Sequence, residues 1–221
     1  MDQCLFALEL VGMLVFMAAW LCALASTLMP QWQTLSTQLL VTESYQQGLW
    51  ETCVVQELGG IECRPYDSLL ALPQDFKLAR SFMCISLALG LLGILLAIPG
   101  LHLVKSCGQG PGGQRAKRIL KVVAGVLGMV AGVLSLIPAS YVAHLTVERF
   151  FDETLPEVVP RWEFGEALFC GWVAGFLFLV AGFLLVASCL GAVVDQSRGH
   201  LTDSPRRYDV HNASRKPPEY V

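Results

Sequence analysis

Cys53 and Cys63 are the residues whose type and spacing point most directly to chemistry. They flank a Gly59-Gly60 pair, with apolar and polar residues alternating through Trp50-Glu51-Thr52-Cys53-Val54-Val55 and again from Ile61-Glu62-Cys63. Alternation on both sides of a glycine turn reads as a β-hairpin. In such a hairpin the two thiols face each other, and their oxidation ties a small sheet with too little core to hold itself together. A Cys53–Cys63 disulfide is expected. No His or carboxylate cluster sits at metal-ligand or acid–base spacing, so neither an enzyme nor a metal or cofactor site is expected.

The elements that must position this hairpin are set by composition. The chain has 221 residues, 54% of them hydrophobic and only 15% charged, and the apolar residues are gathered in blocks. A bilayer-spanning helix needs about 20 consecutive apolar residues, and the stretches 5–29, 81–103, 121–145 and 167–194 each meet that. The fold class is a membrane α-helical bundle of four transmembrane helices carrying a small extracellular antiparallel β-sheet. Ala23-Leu24-Ala25 before Ser26 resembles a signal-peptide cleavage site. The amino end, however, has no Lys or Arg, and the apolar run exceeds the usual h-region of about 7 to 15 residues, so the segment is read as a retained span.

Orientation follows from the basic residues. The loop 104–120 carries Lys105, Arg115, Lys117 and Arg118 with no Asp or Glu. The positive-inside rule makes it cytoplasmic, and with it both termini. Residues 1–29 then hold the amino terminus and first span, 30–80 an extracellular segment with the sheet and a short helix, 146–166 a second extracellular segment, and 195–221 a disordered cytoplasmic tail. Of the eight cysteines only Cys53 and Cys63 face the oxidising side. The sequon at Asn212 lies on the cytoplasmic side and is expected to stay unglycosylated.

Several features refine this plan. Trp32 to Thr37 and Leu39 to Thr42 read as short strands, and Pro73 before Gln74 as a helix start leading into the second span. Pro138 is expected to bend the third span. Ala124, Gly128 and Gly132, and again Ala167, Gly171 and Gly175, are small residues at four-residue spacing that suit close helix packing. Glu9 reads as an interfacial carboxylate near the cytoplasmic end of the first span. Cys107, beside Lys105, and Cys189 are candidate palmitoylation sites. The tail ends in Tyr220-Val221 with a free carboxylate, the form in which a strand adds to a PDZ groove.

Trp32, Gly48-Leu49-Trp50, Cys53, Cys63 and Arg80, together with four spans, one long and one short extracellular segment and the terminal Tyr220-Val221, resemble the signature of the claudins. The resemblance implies a left-handed four-helix bundle with about five extracellular strands, located in the plasma membrane at tight junctions. It implies polymerisation with itself and other claudins within one membrane and between membranes, calcium-independent adhesion, and control of paracellular permeability. Zonula occludens PDZ scaffolds would take Tyr220 and Val221, and the lipid bilayer is the remaining partner, with no nucleic acid. Phe150, Phe151 and Trp162 occupy positions linked to adhesion between cells, where Trp162 replaces the commoner Tyr. Arg64 follows the second cysteine and Gln56 lies three residues after the first, positions whose charge sets ion selectivity in the family. Arg64 and Gln56 favour a barrier over a cation pore, against an acidic surplus in both outer segments. Asp152-Glu153-Thr154-Leu155-Pro156 lacks the Asn-Pro pattern of claudins that bind clostridial enterotoxin. The alternative is an auxiliary channel or receptor subunit, since calcium-channel gamma subunits share the Gly-Leu-Trp and cysteine signature.

Overall fold

The computed structural model describes residues 2–36, 43–56, 59–67, 73–100, 111–151 and 161–203. They form α1 (Asp2–Leu28), β1 (Gln33–Ser36), β2 (Glu43–Gln47), β3 (Glu51–Gln56), β4 (Gly60–Pro65), α2 (Gln74–Gly100), α3 (Pro111–Phe150), β5 (Trp162–Phe164) and α4 (Glu166–Asp203). All four helices are long and apolar enough to cross a membrane. With no water to bond the backbone there, an apolar segment satisfies its own N–H and C=O groups by closing into a helix. Leu14, Leu21, Leu95, Phe176 and Phe183 stand exposed on the outside of the bundle, where hydrocarbon would cover them.

The helices outrun the apolar blocks. α3 starts at Pro111 and ends at Phe150, beyond the expected 121–145, because its polar amino-terminal flank includes Arg115, Lys117 and Arg118, which are good helix formers. It is unbroken as a helix through Pro138. α4 continues to Asp203, which corrects the expectation of disorder from 195. No proline interrupts the stretch before Pro205, so helix propagates past the end of the hydropathy signal. The helix expected ahead of the second span is the start of α2 itself.

α1 packs on α2 and α4, and α3 on the same two, so α1 and α3 stand on the diagonal. Phe16 of α1 meets Phe178 of α4 edge to face, centroids 5.6 Å apart, among Ala19, Ala23, Ile94, Ala131 and Ala181. The small-residue stripes are consumed inside the bundle. A Cβ on Gly128 would lie 3.0 Å from the Phe16 ring, and one on Gly132 2.8 Å from the Gly175 carbonyl. Serines join the helices by donating to carbonyls: Ser26 to Ala167 (2.7 Å), Ser86 to Ala131 (2.7 Å) and Ser135 to Gly171 (3.2 Å).

At one end of the bundle the strands form an antiparallel sheet in the order β4-β3-β2-β1-β5. β2, Glu-Ser-Tyr-Gln-Gln, has no apolar alternation and was not expected as a strand. It forms because β1 and β3 pair with its backbone on both sides. β5 was not expected either. It is contributed by the segment between α3 and α4, and it pairs with β1 through Gln33↔Phe164 and Leu35↔Trp162. Residues 39–42, read from sequence as a strand, lie outside the described residues.

Candidate functional site

The sheet is joined to the bundle through a single buried seam. Trp32 follows α1, and its indole N–H donates to the Ser26 carbonyl (2.8 Å), an acceptor left open at the end of that helix. Its ring is fully buried with Leu49, Phe76, Ala79, Met83, Val142 and Leu168. Two residues of the signature, Trp32 and Leu49, therefore reach the same apolar cluster, which draws on α2, α3 and α4 as well. Gly48 is needed because the chain passes against Pro30: a Cβ there would sit 2.4 Å from the Pro30 Cα. Gly165 is pressed in the same way against the Gln31 carbonyl.

Arg80, in the second turn of α2, closes the seam. Its Nε (3.0 Å) and Nη2 both donate to the Leu49 carbonyl. The guanidinium lies over the Trp50 ring, 4.4 Å from its centroid, and 6.0 Å from that of Tyr66. Tyr66 in turn donates to the Gly48 carbonyl (3.2 Å) and accepts from the Thr52 hydroxyl (3.0 Å). A planar cation that both stacks and forks suits this position in a way that an ammonium does not. On the other side, Gln33 Nε2 donates to the Thr146 hydroxyl of α3 at 2.5 Å, both side chains being buried.

The outer part of the sheet is tied covalently. Cys53 and Cys63 are directly opposed in the β3–β4 ladder, with a Cα separation of 4.0 Å, and are bridged. β4 is an edge strand, exposed along its whole length, so it gains almost no burial from pairing. Closing a loop of this size removes about 3 kcal/mol of unfolded-state entropy, which supplies what packing does not. Gly60, at φ 88°, takes the left-handed conformation at the turn. Glu51 lies beside the two sulfurs, but both thiolates are used in the bridge, so the group does not form a metal centre. Arg64 and Gln56 are exposed on the same sheet, paired with Thr52 and Gly60.

Phe150, Phe151 and Trp162 are brought together at the other edge. Phe150 and Phe151 meet edge to face (5.3 Å), and Phe151 is 71% exposed. Arg161 donates to the Phe150 carbonyl (2.7 Å) and lies 5.2 Å over the Phe150 ring, pinning the end of α3 to the start of β5. Thr146, Phe150, Phe151, Trp162, Phe164 and Phe169 line a groove of about 450 Å³. At the opposite end of the bundle, Glu9 and Lys121 form an ion pair at 2.8 Å, both more than nine-tenths buried. Glu9 thus reaches a neighbouring helix and is sequestered there. Cys189 is also buried, its sulfur 3.9 Å from the Arg118 carbonyl. Cys107, the turn from Asp152 to Pro156, Asn212, Tyr220 and Val221 lie outside the described residues.

The family model described as PMP-22/EMP/MP20/Claudin family matches residues 6–185, from the first helix to the fourth. The chain is 37% identical to Claudin-3 of Rattus norvegicus over 185 residues, covering 82% of each. It is 35% identical to Claudin-7 of Mus musculus over 218 residues, covering 97% of this chain and 98% of the relative. The chain belongs to the claudin family. Claudin-9 of Homo sapiens is 39% identical over 170 residues, covering 76% of each chain. In this claudin the seam explains why Trp32, the Gly48-Leu49-Trp50 run and Arg80 occur together: they mount the sheet on the helices. Sequence reading missed Gln33, Tyr66, Arg161 and Lys121. Of these, Lys121 left a trace in the sequence, as a cation at the edge of an apolar block with Glu9 as its one intramembrane countercharge.

Proposed function

We propose that this claudin is a strand-forming protein of tight junctions that lines the gap between cells and seals it more than it conducts. Both termini lie in the cytoplasm, as the basic 104–120 loop indicates, and the sheet faces the intercellular space. The observation that carries the reading is the rigid mounting of the sheet: Trp32, Leu49 and Arg80 fix it to the bundle, so its exposed residues hold defined positions. Exposed Arg64 and uncharged Gln56 lie on the sheet where cation-conducting relatives carry acids, which favours a barrier. Phe150, Phe151 and Trp162 form the adhesive edge toward the apposed cell. Self-association and co-assembly with other claudins build the strand, and Tyr220-Val221 engages zonula occludens PDZ scaffolds.

The test is expression in cells that lack strands, with freeze-fracture of contacts between expressing cells, and in a sealing epithelial line with sodium and chloride conductance followed. Strands at contacts together with lowered sodium conductance are the expected outcome. Expression at the surface with neither strands nor a conductance change, alone and with a second claudin, would overturn the reading.

A further inference from the structure

We propose that Glu62 is a second selectivity-determining residue, the countercharge that offsets Arg64 on the exposed face of β4. The inference rests on the reading that this sheet borders the paracellular route, and it changes what the route meets: a neutral pair in place of a fixed cation.

The argument starts from register. Thr52↔Arg64, Cys53↔Cys63 and Val54↔Glu62 are consecutive pairs in the β3–β4 ladder. Side chains alternate between faces along a strand, so Glu62 and Arg64 share the face opposite to that of Cys63. A strand that buries nothing is free to slip by one residue and exchange its faces. The disulfide forbids that here, because it holds Cys63 against Cys53. The bridge therefore fixes both charges on one side as well as holding the strand.

Distance decides whether they act together. Two residues along a strand span about 7 Å, within the Debye length of about 8 Å at physiological ionic strength. An ion passing this face responds to the sum of the two charges. Both side chains are exposed on an edge strand, so neither is screened by protein on its outer side. A pair without net charge concentrates neither sodium nor chloride around itself, which suits a seal. Arg64 alone would instead draw chloride.

The variants Glu62→Gln, Arg64→Gln and the double are expressed in a low-background epithelial monolayer, and dilution potentials give the sodium-to-chloride permeability ratio at two ionic strengths. Each line is first checked for strands by freeze-fracture, and Glu62→Thr is carried as a second neutral form suited to a strand. Removing one unit charge at this range is expected to change local ion partition about threefold. Glu62→Gln lowers the ratio, Arg64→Gln raises it, and the double variant returns to the parent value. Both single effects grow as salt is lowered, which a merely structural defect would not do. A shift in Arg64→Gln with none in either Glu62 variant would overturn the role of Glu62 and leave the route assignment standing. No shift in any variant would remove the face from the route and the inference with it.

Discussion

Arg80 shows most clearly how one residue carries several contacts. Its two donors share the Leu49 carbonyl while its plane covers Trp50, so three segments meet at one guanidinium: α2, the turn before β3 and, through Tyr66, the end of β4. Lysine would keep the charge and lose both the fork and the stack. Arg80→Lys is expected to cost about 1.5 to 3 kcal/mol, the worth of hydrogen bonds to a charged group. A lowered thermal midpoint for the detergent-solubilised protein is the readout, and an unchanged midpoint would mean that the apolar cluster alone holds the sheet. Arg80 was visible in the sequence only as part of a resemblance. Its partner was not, because a backbone carbonyl leaves no trace in residue types. Gly48 is similar: the pattern names it, but the reason is the passage of Pro30 against it, a contact between chain segments that no local signal carries.

Among the elements, the helices were legible and the strands less so. A run of about 20 apolar residues has one stable answer in a bilayer, and all four were found. Their ends were not, since helix propensity continues past the hydropathy signal in α3 and α4. The β3–β4 hairpin was legible through its glycines and cysteines, whereas β2 and β5 depend on partners distant in the chain. The Glu9–Lys121 pair also belongs to this scale, because it links α1 to α3 across the diagonal of the bundle. Glu9→Gln leaves the Lys121 charge buried without its carboxylate and is expected to cost about 3 to 5 kcal/mol, while Glu9→Leu with Lys121→Met restores most of it. Thermal midpoints and surface yield of the three forms provide the check. Equal loss in the single and double variants would show that the pair contributes through packing instead of charge.

Taken as a whole molecule, the chain is a bundle and a sheet that share one hydrophobic cluster. The four helices enter it through Phe76, Val142 and Leu168 and through the Trp32 bond to the end of α1. Because β5 returns from the far side of the chain to pair with β1, the two segments at this end form one body. Loss of the disulfide in Cys53→Ala with Cys63→Ala should therefore free only the outer hairpin. Hydrogen exchange is expected to rise in β3 and β4 while the four helices keep their protection, and exchange rising equally in β1 and β5 would contradict a seam that stands on its own.

The bridge has a mechanical consequence. A pull on β4 directed away from the bundle would peel an ordinary antiparallel edge one ladder rung at a time, beginning at the outermost pair. With Cys53 bonded to Cys63, β3 and β4 lift as a single ribbon, and the first seam able to tear is the one between β2 and β3. A load on the outer edge of the sheet would thus be carried inward past the exposed residues of β4, so that they keep their spacing until the sheet parts behind them.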